Sequence, residues 1–252
     1  GIVSLLAITL TVKSGFSVAA ASGFDAGTGR VKFNGNVVAN STASVYDLEI
    51  VTGSNSVTIS IDLQVVNNLI LGSNVAGNNF YMPTTKLLKV GGNITTGVVS
   101  WHTSTNTFIS LNGAAHQTIS GSGTMYLLNV AKTGGDLLMP VDLQLHNSGQ
   151  LTGTGFLDNQ GGVLRSLGHV TLNFSGTVED LRLATQGSQI SATFTNDLQV
   201  INTLSLDANT AGNNFYMPTA KLLKVGGNIT TGVVGWHTST NTFISLNGAA
   251  HQ

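Results

Sequence analysis

Cysteine is absent from this 252-residue chain, and charged residues make up only 8% of it. Without cysteine the chain can form no disulfide bond and no zinc–thiolate site. Because soluble domains usually carry about a quarter charged residues, Ser, Thr, Asn and Gly must supply most of the polar surface here. Only three prolines interrupt the backbone, so long stretches are free to pair.

The formal net charge is −1, which gives no basic excess for nucleic acid or for an anionic membrane surface. No apolar run approaches the ~18 residues that span a bilayer. We therefore expect neither nucleic-acid binding nor membrane insertion. The apolar opening "GIVSLLAITLTV" is open to two interpretations, a targeting remnant or a strand inside a repeat. The lack of basic residues before Ile2 favours the strand.

A near-verbatim repeat dominates the sequence. Residues 76–117 recur as residues 211–252, and only Thr85/Ala220 and Ser100/Gly235 differ between the copies. A second marker recurs as "DLQV" at Asp62, "DLQL" at Asp142 and "DLQV" at Asp197. Repetition of this kind is typical of folds built by stacking small units.

Apolar residues alternate with polar ones in short segments bounded by Gly, Asn and Ser, a pattern that predicts half-buried strands. No stretch shows helical periodicity, so we predict an all-β protein. The alternating apolar residues, which should point into a common interior, include Leu63, Val65, Leu143, Leu145, Leu198 and Val200.

Two all-β architectures compete, a tandem of sandwiches and one continuous solenoid. The DLQ markers lie 80 and then 55 residues apart. The loss of about one coil leaves a solenoid intact, whereas a sandwich would lose strands from its core. At roughly 20–25 residues per coil, we predict a parallel β-solenoid (β-helix) of roughly ten to twelve coils.

The solenoid is predicted to run over 1–252 as one continuous domain. Its approximate copies are 1–75, 76–154, a shortened 155–210 and the start of another at 211–252. The final copy stops where the earlier one continues "TISGSG", which predicts an uncapped segment of a longer repetitive fibre. We expect its two end coils to be covered by further chain or by a copy stacked head to tail.

The segments "DAGTGRVKFNG" from Asp25 and "LNGAAHQTISGSGTMYLLNV" from Leu111 resemble repeat modules of large secreted bacterial adhesin- and haemagglutinin-like surface proteins. The resemblance is largely compositional and covers most of the chain. It implies a parallel β-solenoid with an extracellular, cell-surface location.

The recurring acids Asp62, Asp142 and Asp197 raise the question of catalysis, since general acid/base chemistry uses paired carboxylates. Their recurrence at one place per repeat favours a structural role, in which each side chain accepts hydrogen bonds from turn amides. The six histidines show no metal-ligand spacing, and no nucleophile elbow or phosphate loop occurs. We therefore predict no catalytic residues, no metal and no cofactor.

Aromatic residues form the most informative set. Exposed Tyr and Trp present flat amphipathic faces that suit sugar rings or a neighbouring fibre, whereas buried ones would only fill a wide coil. The long repeat carries one Tyr and one Trp in each of its two copies. A glycan or fibre-contact surface is predicted at these four residues: Tyr81, Trp101, Tyr216 and Trp236.

We expect a non-enzymatic structural or adhesive segment of an extracellular fibre, whose partners are copies of itself and surface glycans. The alternative is a carbohydrate-binding or carbohydrate-cleaving β-helix. A third interpretation, an ice- or mineral-surface binder, would require Thr residues in a flat register, which the sequence does not reveal.

Overall fold

The structure, a computed structural model, describes residues 3–19, 24–51, 56–72, 80–83, 85–97, 108–158, 160–184, 191–207, 213–218, 220–232, 236–238 and 243–248. Over these residues the chain is all-β with parallel pairing, and no helix occurs among them. The chain divides into two compact units, Gly1–Gly135 and Asp136–Gln252.

The first unit holds the strands β1 Val3–Ser4, β2 Thr9–Val12, β3 Gly15–Phe16, β4 Phe24–Asp25, β5 Arg30–Asn34, β6 Val37–Ala39, β7 Asp47–Val51, β8 Val57–Ile59, β9 Leu63–Val65, β10 Leu69–Leu71, β11 Phe80–Tyr81, β12 Leu87–Val90, β13 Ile94–Thr96, β14 Phe108–Leu111, β15 Gln117–Gly121 and β16 Thr124–Val130. The opening segment is thus formed of strands, as predicted.

The second unit holds β17 Leu137–Leu138, β18 Leu143–Asp158, β19 Leu164–Leu167, β20 Val170–Ala184, β21 Ser191–Phe194, β22 Leu198–Leu206, β23 Asn213–Tyr216, β24 Leu222–Val225, β25 Asn228–Thr231, β26 Trp236–Thr238 and β27 Phe243–Leu246. The long strands β18 and β20 bend around corners. Positive φ angles at Ser148 and Gly153 place two of these bends within β18, since such angles turn the chain sharply.

Three parallel ladders, one for each face of the solenoid, run through unit 1. The first ladder is β2, β5, β7, β10, β13 and β15. The second ladder is β3, β6, β8 and β11, and the third is β9, β12, β14 and β16. One turn of the chain visits the faces in order, as β10, β11 and β12 do.

Unit 2 repeats this arrangement with longer strands. Its first ladder joins the start of β18 to β19, the end of β20, the end of β22 and β25. Its second ladder joins the middle parts of β18 and β20 to β21, β23 and β26. Its third ladder includes β17, the end of β18, a middle part of β20, the start of β22, β24 and β27.

The turns of the solenoid differ in length. Residues in register on successive turns are separated by as few as 17 positions, as in Lys32 and Glu49, and by as many as 25, as in Leu63 and Leu88. The described solenoid has about 9 turns, slightly fewer than the predicted ten to twelve coils.

The interior of each unit is lined by the alternate residues that the sequence pattern predicted. Leu63, Val65, Leu143, Leu145, Leu198 and Val200 are all buried. In the parallel pairing, apolar residues of successive turns stack in register, as in Leu69 on Leu48. Burying one such side chain stabilises the fold by about 1.5–3 kcal/mol, so the stacked interior is the main source of stability.

Two of the DLQ markers, Asp142 and Asp197, lie in unit 2, and they do not begin strands of the same ladder. Asp197 precedes the start of β22 on the third ladder of that unit, whereas Asp142 precedes the start of β18, which pairs with β19 on the first ladder. The predicted equivalence of these two markers is therefore wrong. The 55-residue spacing between them compares strands on different faces.

The duplicated "VGGN" phrase marks a corner where backbones approach closely. A Cβ atom built on Gly92 would lie 2.5 Å from the carbonyl oxygen of Asn67, and one on Gly227 would lie 2.0 Å from that of Asn202. A side chain at either position would displace the turn beneath. The two glycines therefore set the distance between turns.

Candidate contact surface

The carboxylates of the DLQ markers hold the next turn in place. In each case Oδ1 accepts the backbone N–H of the residue that begins or precedes the paired strand one turn later: Asp62 from Leu87 at 3.0 Å, Asp142 from Val163 at 3.1 Å and Asp197 from Leu222 at 3.0 Å. The predicted structural role as acceptors of backbone N–H groups is confirmed, but these amides belong to the next turn of the solenoid and not to the turn that holds the Asp. The N–H at the start of a short strand thereby gains an acceptor that the neighbouring strand does not supply.

Side-chain oxygens of Asp and Asn also accept backbone N–H groups on successive turns of the first ladder of unit 1, and we call this series of hydrogen bonds the relay. Asp47 Oδ1 accepts the N–H of Asn68 at 2.9 Å, and Asn68 Oδ1 accepts the N–H of Asn93 at 3.0 Å. Asn93 Oδ1 in turn accepts the N–H of Thr118 at 2.8 Å. In unit 2, Asp180 Oδ1 likewise accepts the N–H of Thr203 at 2.9 Å. Asp and Asn thus have the same role, which is to accept a backbone N–H from the next turn.

A buried glutamine connects several turns at one corner of unit 1. The Gln117 side chain is fully buried. Its Nε2 donates to the carbonyl oxygens of Val90 and Gly92, and its Oε1 accepts the N–H of Gly113 at 2.9 Å. The ammonium of Lys132 donates to the same Oε1 at 3.0 Å. We call these contacts the Gln117 clip; they were not predicted from the sequence, although the phrase "NGAAHQ" that ends at Gln117 is repeated.

The Lys132 ammonium also donates to the carbonyl oxygens of Ala115 at 2.6 Å and Gly113 at 3.3 Å. Three oxygen acceptors therefore surround one cation that is partly removed from water. Hydrogen bonds from a charged donor are stronger than neutral ones. The arrangement fixes the loop after β16 on the loop before β15.

The histidines do not form a metal site among the residues that the structure describes, where no group of three potential ligands is found. His169 lies on the surface, and its Nδ1 is 2.8 Å from Ser191 Oγ. The same nitrogen accepts the backbone N–H of Ser191 at 3.1 Å. The imidazole therefore caps the start of β21, one turn along the chain. His102 and His251 lie outside the described residues.

Tyr81 lies on the outer side of the second ladder. It follows buried Phe80 and precedes buried Met82, and it is 37% exposed. Directly beneath it in register are Thr58 and then exposed Val38. Because strands in a sheet lie ~4.8 Å apart, the Tyr81 ring and Val38 lie at the two ends of a short, partly apolar column on the outer surface.

Tyr216 occupies the duplicated position in unit 2, where it is 44% exposed. Thr193 and Thr171 lie beneath it in register. Trp236 pairs with Asn213, three residues before Tyr216 on β23, so the tyrosine and tryptophan backbones do not share a column. Trp101 lies outside the described residues. Of the four predicted contact residues, Tyr81 and Tyr216 are seen to be exposed, and their role in contacts stays a prediction.

Two pairs of outward hydroxyl groups lie in register on adjacent turns, which the sequence did not reveal. Thr95 Oγ1 lies 3.3 Å from Ser120 Oγ, and Thr230 Oγ1 lies 3.1 Å from Ser205 Oγ. Each of these contacts joins only two successive turns.

Charged side chains sit on the outer side of the first ladder. In unit 1, Glu49 binds Lys32 at 2.7 Å and Arg30 at 3.1 Å. In unit 2, Arg182 Nε donates to both carboxylate oxygens of Asp207, at 2.9 and 3.1 Å. The hydrogen bond and charge of Asp207 raise the pKa of the Arg182 guanidinium. Exposed pairs of this kind add little stability.

No helix that could cross a membrane is found in the described part of the chain. No family model matches the sequence, and neither the curated proteins nor the solved structures give a match. The fold and the local chemistry are therefore the basis for any functional proposal.

Proposed function

We propose that this chain is a structural or adhesive segment of an extracellular fibre on a bacterial cell surface, without enzymatic activity. The resemblance of "DAGTGRVKFNG" and "LNGAAHQTISG" to repeats of secreted adhesin- and haemagglutinin-like proteins supports this proposal. A nearest-neighbour solenoid also lengthens by adding turns, which is what a stalk requires.

The observation that carries the proposal is the role of the repeated acids. Asp47, Asp62, Asp142, Asp180 and Asp197 each accept a backbone N–H from the next turn. A catalytic pair would instead have two carboxylates in different environments on either side of one bond. Carboxylates that recur along the chain and bind backbone amides of the next turn have a structural role, which is to hold successive turns together.

Self-stacking is supported by a comparison between the two copies of one leucine. Leu111 is 0% exposed because β16 pairs with β14 and covers it, whereas its duplicate Leu246 on β27 is 55% exposed. No described strand covers Leu246. We propose that either more of the same chain or a second copy of it, stacked head to tail, covers this edge.

Light scattering and electron microscopy of residues 1–252 test the stacking. We expect concentration-dependent assemblies that Leu246→Lys weakens, because the ammonium would have to be buried under the added turn. Ile201→Lys, which alters an outward exposed residue, should leave assembly unchanged. A monodisperse monomer at all concentrations would contradict this part of the proposal.

Turnover assays on a panel of neutral and acidic polysaccharides test the absence of enzymatic activity. We expect no product from the chain. Turnover that Asp62→Asn, Asp142→Asn or Asp197→Asn abolishes would overturn the proposal, since an amide keeps the acceptor oxygen of these side chains but cannot supply a carboxylate for acid/base chemistry.

The alternative function, carbohydrate binding, is favoured by the outward rings of Tyr81 and Tyr216. Their exposed faces offer the flat amphipathic surface on which a sugar ring stacks. Glycan-array binding that Tyr81→Ala or Tyr216→Ala removes would support this role. Val66→Ala changes an exposed apolar residue on another face and serves as the matched control.

A further inference from the structure

The third face of unit 1 is interrupted at its beginning. Along the chain, β4, Val45 and β9 each follow a strand of the second ladder and precede a strand of the first, so all three belong to this face. Val45 bridges to Val65 of β9, but β4 pairs with β1 alone among the described strands. The turn of β4 and the turn of Val45 are therefore not joined here by strand pairing.

The interruption opens a groove of about 440 Å³, a size typical of pockets that bind small molecules. Residues 24–27 line one side of the groove. Residues 42–44 and Tyr46 line the other side, next to exposed Val66. Asp25 is exposed as well, so the groove is open to solvent.

Hydrogen bonds between neighbouring turns close the groove at both ends. At one end the N–H of Thr42 donates to the carbonyl oxygen of Val18 at 2.9 Å, and at the other the N–H of Asp47 donates to that of Gly29 at 3.3 Å. A polypeptide strand added between the turns would have to break these contacts. The groove therefore suits a compact ring and not an added β-strand.

The polar groups of the groove are available to a ligand. The Asp25 carboxylate accepts the N–H of Gly27 at 2.8 Å and the hydroxyl of Ser4 at 3.1 Å, which orient it, and its oxygens have further lone pairs. Ser44 is exposed and makes no hydrogen bond among the described residues. Half-buried Tyr46 adds a phenol ring. One groove thus offers donors, acceptors and a flat apolar surface.

The charge of the groove favours a neutral ligand. Among the described residues that line it there is no Lys, Arg or His, and Asp25 is the one acid. An anion would lose hydration there without gaining a cation, and a single carboxylate offers too few ligands for a metal ion. A neutral sugar ring, which has hydroxyl groups at its edge and an apolar face, meets these conditions.

We propose that this groove binds one ring of a neutral carbohydrate, whose apolar face lies on Tyr46 and whose hydroxyl groups bond to Asp25 and Ser44. Tyrosine suits such a ring because it combines a flat apolar body with a polar tip. The site is separate from the outward Tyr81 and Tyr216, and it depends neither on the proposed stacking nor on the proposed fibre function.

Saturation-transfer-difference NMR of residues 1–252 tests the site. The neutral probes are the methyl glycosides of glucose, galactose and N-acetylglucosamine, and the charged probe is glucuronate. We expect a neutral glycoside to bind more tightly than glucuronate. Tyr46→Ala should weaken that binding about tenfold, whereas Tyr46→Phe, which keeps the ring, should weaken it less. No binding by any neutral probe, or tighter binding of glucuronate, would overturn the proposal.

Tyr216→Ala is the matched control, because it removes a tyrosine ring from unit 2 and should leave the affinity unchanged. A loss in this control, with Tyr46→Ala unaffected, would overturn the groove site and assign binding to the outward rings. Thermal unfolding checks the fold of each variant. If Tyr46→Ala does not fold, Ser44→Trp at an exposed position fills the groove and should abolish binding with the melting profile retained; full affinity in that variant would contradict the proposal.

Discussion

Replacing Gln117 by alanine is expected to destabilise unit 1 more than any exposed polar substitution. The truncation leaves the N–H of Gly113 without the acceptor at 2.9 Å and takes a donor from the carbonyl of Gly92. Val90 O keeps the N–H of Asn112 at 3.0 Å, and Lys132 keeps Ala115 O at 2.6 Å. The cost therefore falls on two backbone groups.

Each buried polar group that loses its partner costs about 1–3 kcal/mol, and the missing side chain leaves a cavity beneath the corner. We expect Gln117→Ala to lower the free energy of unfolding by about 4 kcal/mol, a large fraction of the total stability of a typical domain. Lys132→Ala should cost less, because it removes a donor and leaves no buried N–H unpaired.

Urea titration followed by far-ultraviolet circular dichroism measures this difference. Gln199→Ala is the matched control, since Gln199 is exposed on the outer side of β22 and its truncation should change stability by less than about 0.5 kcal/mol. If Gln117→Ala unfolds at the same urea concentration as the control, the clip does not stabilise the corner and the reasoning fails.

Three further substitutions test the turns and the interior. Gly92→Ala should cost about 1–3 kcal/mol in thermal unfolding because its Cβ would lie 2.5 Å from a carbonyl oxygen of the turn below, whereas Gly15→Ala, with nothing within 4 Å, should have little effect. Asp197→Ala should lower the free energy of unfolding by about 1 kcal/mol through the unpaired amide of Leu222, and Asp197→Asn should retain that stability; equal losses would count against the acceptor role of Asp197. Leu198→Asp should prevent cooperative unfolding by burying an unpaired charge, while the same change at Gln199 should leave the melting profile intact.

The fold class and the interior residues could be predicted because both follow from local pattern. Alternation of Leu63 and Val65 with polar neighbours fixes which face is buried, whatever strand lies above. The near-identical copies also required a fold that tolerates duplication. The parallel solenoid follows from these two observations.

The assignment of strands to ladders could not be predicted in the same way. Asp47 begins a first-ladder strand and Asp62 precedes a third-ladder strand, and both accept an N–H from the next turn. The DLQ motif therefore marks the start of a strand without specifying its face. The sequence alone favoured treating Asp142 as equivalent to Asp197, and only the pairings of β18 with β19 and of β22 with β24 separate them.

The Gln117 clip was missed for a different reason. Its partners Val90, Gly113 and Lys132 lie 27, 4 and 15 residues away. They meet only because several turns reach the same corner of the solenoid. Sequence spacing reveals such a contact only after the turn lengths are known. The aromatic surface was predicted from composition, which identifies Tyr216 but not the register that pairs Trp236 with Asn213.

Disulfide trapping of Thr95→Cys/Ser120→Cys tests the parallel, in-register stacking most directly. The chain contains no cysteine, and the two hydroxyl oxygens lie 3.3 Å apart on adjacent turns, so the account predicts efficient cross-linking under mild oxidation. The shifted pair Thr95→Cys/Thr118→Cys should stay reduced, because its Cα atoms would lie ~8 Å apart, beyond the reach of a disulfide. Cross-linking of the shifted pair, with the in-register pair unreacted, would contradict the stacking of 25-residue turns.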